Sequence, residues 1–489
     1  MTLHSLLDKI DCKEIINDKD ICIRDICCDS RRAEQDTLFV CISGALSDGH
    51  EYAEAAYEKG CRAFVAEKML TLPDDATVVL TKDTRTALAI LSAEFFGNPA
   101  DKLTVIGITG TKGKTTTSLL IYNILSANGI AAGYIGSNGV EYDGVHFDTV
   151  NTTPESYDIH KYMAQMVEAG VKVVAMEVSS QALMLARVHG IKFDIAVFTN
   201  LYPDHIGKFE HPDFDNYKAC KHSLFTSYGT DFVVYNADDE HAADIIAGCG
   251  CPCKGIAVNK NTDYTASSIT YFRSPGAIGV SFDCSYDGAS FPAALNFPGE
   301  FSVYNALTSI AVCRRLGLSF ESITSAMKNT RIKGRFETIE LPNGATAVID
   351  YAHNGVSLKA ALTALRIYEP ARLICLFGSV GGRTKMRRAE LGLVASRDAD
   401  LCILTSDNPD NESPINIIGD IASYFATGSA PYIVIPDRKT AIEHALSISR
   451  KGDIILLAGK GHEKYQLICG TRHRFSEADI INENLELCK

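Results

Sequence analysis

The chain has 489 residues, 46% of them hydrophobic and 22% charged, with a formal net charge of −13. At roughly 100–200 residues per domain, this length makes about three domains, each large enough for its own core. The acidic balance disfavours nonspecific binding to nucleic acid or to an anionic membrane, yet allows a local basic pocket for a small anion.

The first residues, MTLHSLLDKIDCKEII, carry acids early and no basic stretch before an apolar core, so no signal peptide is expected. No apolar run approaches ~18 residues, so no membrane span is expected. The sixteen cysteines then suit reduced, buried thiols in a cytoplasmic protein. Residues 1–100 form a small α/β unit in this reading. DTLFVCISG and RAFVAEK have strand character, HEYAEAAYEKGC is helical, and FGNPADK is a turn-rich linker.

From residue 103 the pattern changes. LTVIGIT, VKVVAMEV, FDIAVFTN and DFVVYNAD are apolar, β-branched runs of strand length with helical segments between most of them. That is the signature of a parallel sheet covered on both faces. The cluster CGCPC, Cys249–Cys253, lacks a second pair or nearby His at structural zinc spacing, so metal is not expected there. A boundary follows at TRIKGRFETIELPNG. Beyond it ATAVIDYA, RLICLFGS, ADLCILTSD, YIVIPD and DIILLAG announce a second doubly wound sheet. The expected architecture is three α/β domains, 1–100, 101–331 and 332–489, the last Rossmann-like. Sites are expected at the carboxyl ends of strands and between domains.

The stretch VIGITGTKGKTTTSLLIYNIL carries the first chemistry. The common phosphate loop, G-x-x-x-x-G-K-[ST], asks for glycine where Ile108 stands. A strong strand nevertheless runs into a glycine-rich turn and then a helix, so backbone N–H groups and the helix dipole face an anion. Lys114 can reach the outer phosphates and the Thr115 hydroxyl can ligate Mg²⁺. A helix start with incidental glycines is the competing reading. Gly110, Gly113, Lys114 and Thr115 together favour the nucleotide. A GTPase would carry N-K-x-D, and NKNTD, Asn259–Asp263, is one residue too long.

Two further strand ends carry polar residues that a core does not need. Glu177 follows VKVVA, and Asp204 and His205 follow FDIAVFTN. Each alone suits an exposed acid or a helix cap. Jointly, Glu177 and His205 pointing at the phosphates suit ligands of a divalent ion between ATP and substrate.

In order, GTKGKTT, NTTPE, EVSSQAL, FTNLYPDH, GRFE, DYAHN and GKGHE closely resemble the Mur ligase family, ATP-dependent amide-forming enzymes of peptidoglycan precursor synthesis. The resemblance covers nearly the whole chain. It points to the members that add the third amino acid to UDP-N-acetylmuramoyl-L-alanyl-D-glutamate. The family loop, G-[ST]-x-G-K-[ST], is shorter than the common one, and Gly110–Thr115 fits it.

The resemblance implies an ATP site of Gly110, Thr111, Lys112, Gly113, Lys114, Thr115 and Thr116, with Asn305, Arg335, Asp350 and His353 nearby. It implies UDP-substrate contacts at Ser30, at Asn151, Thr152 and Thr153, and at Ser179 and Arg187, with a second uridine-side loop at Gly44–Tyr52. Lys221 falls on a lysine that is carbamylated in the family and holds a second Mg²⁺. On residues alone it is an ordinary helix lysine with Lys218 as competitor. Lys114, Glu177, His205 and Lys221 are the implied catalytic set. Arg383 matches the position that takes the amino acid's α-carboxylate, although Gly382 and Thr384 replace two acids of the family loop. Arg388 is a candidate phosphate partner.

Gly459 and Glu463 match the amino-acid pocket. The selector segment is SDNPDNESP, with Asp407, Asn408, Pro409 and Asp410. Members that use meso-diaminopimelate usually have D-N-P-R, and here Asp410 stands where that arginine would. Asp407, Asp410, Glu412 and Glu463 together suit a distal ammonium, so L-lysine is expected. Ornithine or meso-diaminopimelate is the alternative. A folylpolyglutamate-synthetase-like ligase is a weaker reading, because its loop lies near the N-terminus. A non-catalytic nucleotide-binding subunit is weaker too, because Glu177, Lys221 and NTTPE are all present. A monomer is expected.

Overall fold

Strands arise where β-branched and aliphatic residues run together and are buried on both faces. The protein, a computed structural model, is described for residues 1–488 except 45–46, 208–209, 275, 383–384 and 426–428. It divides into two compact units, Met1–Tyr264 with Thr308–Leu318, and Thr265–Leu307 with Ser319–Lys489.

The first unit holds two sheets. The N-terminal one contains β1 (Cys12–Ile16), β2 (Asp25–Cys27), β3 (Thr37–Val40), β4 (Ala63–Ala66) and β5 (Thr77–Thr81), in the order β1-β5-β4-β3-β2. Its strands pair in parallel except β1, which is antiparallel at one edge.

The second sheet has β6 (Thr104–Thr109) at its centre. Its other members are β7 (Ala132–Gly136), β8 (Gly139–Tyr142), β9 (Val145–Phe147), β10 (Val173–Glu177), β11 (Ile195–Phe198), β12 (Phe232–Asn236) and β13 (Cys253–Ala257). The order is β13-β12-β11-β6-β10-β7-β8-β9. β10 and β11 pair in parallel with opposite edges of β6, so the chain order reverses there. A crevice at the carboxyl end of such a switch point is where open α/β sheets bind ligands. β6, β10, β11 and β12 are the four apolar runs read from the sequence, whereas β7 and β13, also paired in parallel, were not read. The antiparallel meander β7-β8-β9 was not anticipated, because its strands are short and joined by tight turns.

In the second unit β14 (Tyr264–Ser274), β15 (Ala277–Tyr286) and β16 (Ala289–Leu295) lie side by side, β15 and β16 antiparallel. Sequence reading missed this ribbon as well. β14 is mostly half-exposed, so no continuous apolar run marks it. The C-terminal sheet contains β17 (Glu337–Glu340), β18 (Thr346–Asp350), β19 (Leu373–Phe377), β20 (Leu401–Leu404), β21 (Tyr432–Val434) and β22 (Ile454–Ala458), ordered β17-β18-β22-β19-β20-β21. All but β17 pair in parallel.

Alternate side chains of this sheet feed two separate cores. Cys375, Phe377, Leu404 and Leu456 enter one, and Ile374, Leu376, Ile403 and Leu457 the other. Successive strand residues point to opposite faces, so a sheet covered by helices on both sides needs apolar residues at every position. The hairpin β23 (Tyr465–Ile468) and β24 (Thr471–Arg474) stands apart. Among the described residues, no helix is long and apolar enough to cross a membrane.

One ion pair anchors this sheet from below. Arg438 and Glu477 are both fully buried, 2.8 Å apart, and the guanidinium also donates to the carbonyls of Ser406 and Ala458. Removing one partner leaves a buried charge unmatched. Glu477→Leu is therefore expected to destabilise the C-terminal sheet by about 3–5 kcal/mol. Urea denaturation followed by far-UV circular dichroism checks this, and an unchanged midpoint would refute it.

Candidate active site

β6 delivers the chain to the loop Gly110–Gly113, and the helix Lys114–Ala127 leaves it. Gly110 has φ +146°, and a Cβ there would run into Thr199 Oγ1 and approach Asn200 to 3.1 Å. Only glycine allows this contact between the loop and the residues after β11. Those residues clamp it. Thr199 Oγ1 and Asn200 Nδ2 both donate to Lys112 O, at 2.7 and 3.1 Å. Asn200 accepts from Lys112 N on its side chain and from Thr111 N on its carbonyl, each at 2.9 Å.

Gly113, at φ +86°, caps the helix without a side-chain hydrogen bond of its own. The positive end of the helix dipole therefore faces the loop, as an anion site requires. Lys114 Nζ folds back onto Gly110 O and Thr111 O, at 2.8 and 3.2 Å. Lys112 pairs with Asp204 at 3.1 Å, and Thr116 is half-buried on the first helical turn.

Glu177 ends β10 and is fully buried. Its carboxylate accepts from Thr115 Oγ1 at 2.9 Å, Tyr134 OH at 2.6 Å, Ser137 N at 2.8 Å and Ser137 Oγ at 3.3 Å. The NTTPE segment closes on the same point. Ser137 and Thr152 hydroxyls meet at 3.0 Å, and Thr153 Oγ1 donates to Glu177 O at 2.8 Å. Ser179 N donates to Thr153 Oγ1, and the Ser179 side chain caps the short helix Ser180–Met184. Arg187 is buried, donates to Thr153 O at 3.0 Å and pairs with Glu155 at 2.9 Å. Asn151 is exposed. Ser30 lies in a turn capped by Asp29, where its carbonyl accepts from Lys59. Within the loop 44–52, residues 45 and 46 lie outside the described residues.

Lys221 sits on the helix Phe214–Thr226, 1% exposed. Its Nζ donates to Gly110 O at 2.8 Å and lies 4.5 Å from the centre of the Tyr217 ring, whose hydroxyl donates to Thr111 Oγ1. Burial, and then the charge of Lys114, holds this amine well below the usual lysine range. Lys218 instead pairs with Asp244. His205 stands at the edge of this group, its ring centre 6.2 Å from that of Tyr217. Its backbone is left-handed, at φ +57°, and its half-exposed ring turns to Glu210 at 3.1 Å. The arrangement expected from sequence, Glu177 and His205 facing one point, is not formed by these side chains.

In the second unit, GRFE, DYAHN and GKGHE converge. Asp350, buried at the end of β18, accepts from Phe336 N at 3.1 Å, and its carbonyl accepts from Gly459 N at 3.0 Å. Arg335 lies 4.8 Å over the Tyr351 ring. His353 Nδ1 is 2.8 Å from Tyr351 O, and the His462 ring is 5.1 Å from that of Tyr351. Asn305 is buried on the helix Glu300–Arg315. Burial pushes the Asp350 carboxyl up to about 6, against the pull of Arg335.

The supposed acidic pocket is partly neutralised from within. Lys460, fully buried, donates to Asn408 Oδ1 and Glu463 Oε2, both at 2.8 Å, and lies 3.5 Å from Asp407. Asn408 Nδ2 donates to Glu463 Oε2 at 2.9 Å. A side chain at Gly459 would crowd Asp407, and Pro409 is buried beside Gly381. Asp410 accepts from Gly470 N in the turn between β23 and β24. Arg388, expected near phosphate, is buried between Glu412 at 2.7 Å and Asp420 at 2.8 Å. Arg383 lies outside the described residues. Sequence reading missed Lys460, Tyr134, Ser137 and Asn200. Lys460 and Asn200 stand inside motifs that were quoted, whereas Tyr134 and Ser137 carry no local signal.

Three family models match the chain. They are a Mur ligase catalytic domain over residues 23–96, the Mur ligase middle domain over 108–313, and the Mur ligase glutamate ligase domain over 334–461. A UDP-N-acetylmuramoyl-L-alanyl-D-glutamate–2,6-diaminopimelate ligase of Caldanaerobacter subterraneus subsp. tengcongensis is 39% identical, over 96% of both chains. One from Clostridium perfringens is 35% identical, over 99% of this chain and all of that one. A solved structure of a ligase of that name superposes with a TM-score of 0.67 at 26% identity, covering 96% of this chain and 95% of the other.

Two outcomes are expected from the geometry. Gly110→Ala should weaken binding of a fluorescent ATP analogue at least about tenfold, a change of only ~1.4 kcal/mol, and unaltered affinity would refute the clamp. Asp350 holds its proton more tightly folded than unfolded, where its pKa is about 4. Its contribution to stability therefore falls as pH rises from about 4 to about 6, on the order of 3 kcal/mol in all, and stays lower above. Urea denaturation of the protein and Asp350→Asn across this range should show the fall only with aspartate present.

Proposed function

The chain belongs to the Mur ligase family of ATP-dependent amide-forming ligases, with its three-domain α/β fold, and we propose that it adds the third amino acid to UDP-N-acetylmuramoyl-L-alanyl-D-glutamate. The observation that carries this reading is the meeting of Glu177, Thr115 and Lys221 around one glycine loop at the sheet's switch point. In it, residues 1–100 hold the uridine part, 101–331 the nucleotide and 332–489 the amino acid. The protein works as a cytoplasmic monomer.

A carboxylate acylates poorly. Its oxygen attacks the γ-phosphorus of ATP, ADP leaves, and an acyl phosphate forms. The neutral amine of the amino acid then adds to the acyl carbon, and the tetrahedral intermediate expels phosphate to leave the amide. The loop N–H groups and Lys114 stabilise charge on the transferring phosphoryl, and Arg187 and the Thr153 segment fix the dipeptide end. The Thr115 hydroxyl and the Glu177 carboxylate are hard oxygen donors in contact, which suits the Mg²⁺ that accompanies ATP. When bound there, Mg²⁺ would supply positive charge that stabilises the transferring phosphoryl. Burial, and then the charge of Lys114, favours the neutral form of the Lys221 amine, and it is the neutral amine that adds CO₂ to give a carbamate and a proton. Such a carbamate offers a further oxygen ligand.

The third amino acid in this proposal is meso-diaminopimelate, for which the relatives are named. L-Lysine was expected from four acidic side chains. Lys460 already pairs with Asp407 and Glu463, Arg388 with Glu412, and Asp410 accepts from the β23–β24 turn, which weakens the argument for a distal ammonium.

The test is turnover. Pure protein with ATP, Mg²⁺ and the UDP-dipeptide receives single amino acids, and phosphate release and product mass are measured. Diaminopimelate should be the substrate. Turnover with lysine or ornithine alone would overturn that choice, and none with any diamino acid would overturn the ligase. Lys221→Ala should lower kcat at least about 10²-fold, the scale of losing one stabilising group. Added short carboxylic acids should restore part of it. Full activity in Lys221→Ala would remove the carbamate.

A further inference from the structure

The cysteine cluster Cys249–Cys253 takes no part in the chemistry above, and its geometry is unlike that of the other thiols. Cys249 and Cys251 sulfurs are 3.2 Å apart, closer than two unbonded sulfurs usually rest. Cys253 donates to Cys251 O at 3.4 Å. All three are half-buried, and burial, reinforced by Cys249, raises Cys251 to about 12 and Cys253 to about 11. Cys249 and Cys251 are therefore the close pair, while Cys253 turns to a backbone carbonyl.

The backbone between the close pair is permissive. Gly250 separates them with open space around it, so the turn can tighten without a clash. The two sulfurs already meet at 3.2 Å, so closing the ring needs side-chain rotation rather than a large backbone shift. The pair lies between the helix Ala242–Ile246 and the start of β13. That helix packs on the one that carries Lys221.

We propose that Cys249 and Cys251 form a thiol–disulfide site, closed by exchange with a low-molecular-weight disulfide. The Cys249 thiolate attacks one sulfur of RSSR, forming a mixed disulfide and releasing RS⁻. Its negative charge is then gone, which eases deprotonation of Cys251. The Cys251 sulfur attacks the Cys249 sulfur, the second RS⁻ leaves, and the ring is closed. The net reaction oxidises two thiols to one disulfide and reduces RSSR to two RSH.

The sequence makes the test direct. The tryptic peptide His222–Lys254 contains Cys249, Cys251 and Cys253 and no other cysteine. The full-length protein is titrated with oxidised glutathione, blocked with N-ethylmaleimide and digested, and the peptide is weighed. Reduced protein should give three maleimides. Oxidised protein should give one maleimide and a peptide two hydrogens lighter. Cys253→Ser should still close and then carry none, whereas Cys249→Ser and Cys251→Ser should stay open. Three maleimides throughout, or a stable glutathione adduct on Cys249, would overturn the site. Closure that survives in Cys251→Ser would overturn the pairing. Circular dichroism of each variant checks that the fold is kept.

Discussion

Much of the first unit is organised by a single carboxylate taken out of water. Burying an ionised carboxylate is costly unless its oxygens are hydrogen-bonded. Glu177 meets that demand with Thr115, Tyr134 and Ser137, its donors among the described residues. Each comes from a different segment: the helix after the glycine loop, β7, and the turn that follows it. Thr152 and Thr153 then attach NTTPE to the same knot. The hydrogen bonds that make the buried charge tolerable are therefore the ones that bring the loop and the substrate segments into register.

How much of this the sequence disclosed follows from the range of each signal. Central parallel strands such as β10 and β19 were legible because burial on both faces demands unbroken apolar runs, as in VVAM and LICLF. The glycine loop was legible because a strand, a positive-φ turn and a helix start follow one another within a few residues. β14–β16 escaped because half-exposed antiparallel strands alternate only loosely, and β7–β9 because they are short. At the site, Glu177 was visible as a polar residue at a strand end. Tyr134 was not, because its role depends on β7 lying beside β10, which no local pattern states. His205 was named for the same reason as Glu177, but its backbone is left-handed and its ring lies beside Tyr217 and pairs with Glu210.

The amino-acid pocket teaches the same point with charge. Counting acids along SDNPDNESP and GKGHE suggested a negative hollow. Lys460 sits inside the second motif and contacts both segments at once, while Arg388, 24 and 32 residues from its partners, pairs with Glu412 and Asp420. A local tally of charges misleads when the counter-ions are buried with them, because buried charges are almost always matched.

Gly110 O accepts from two lysines, Lys114 and Lys221. Both amines thus converge on one backbone oxygen, at the residue whose conformation leaves no room for a side chain. The same peptide group fixes the path of the loop and the position of the two amines, so a change that turned this carbonyl away would release both lysines at once.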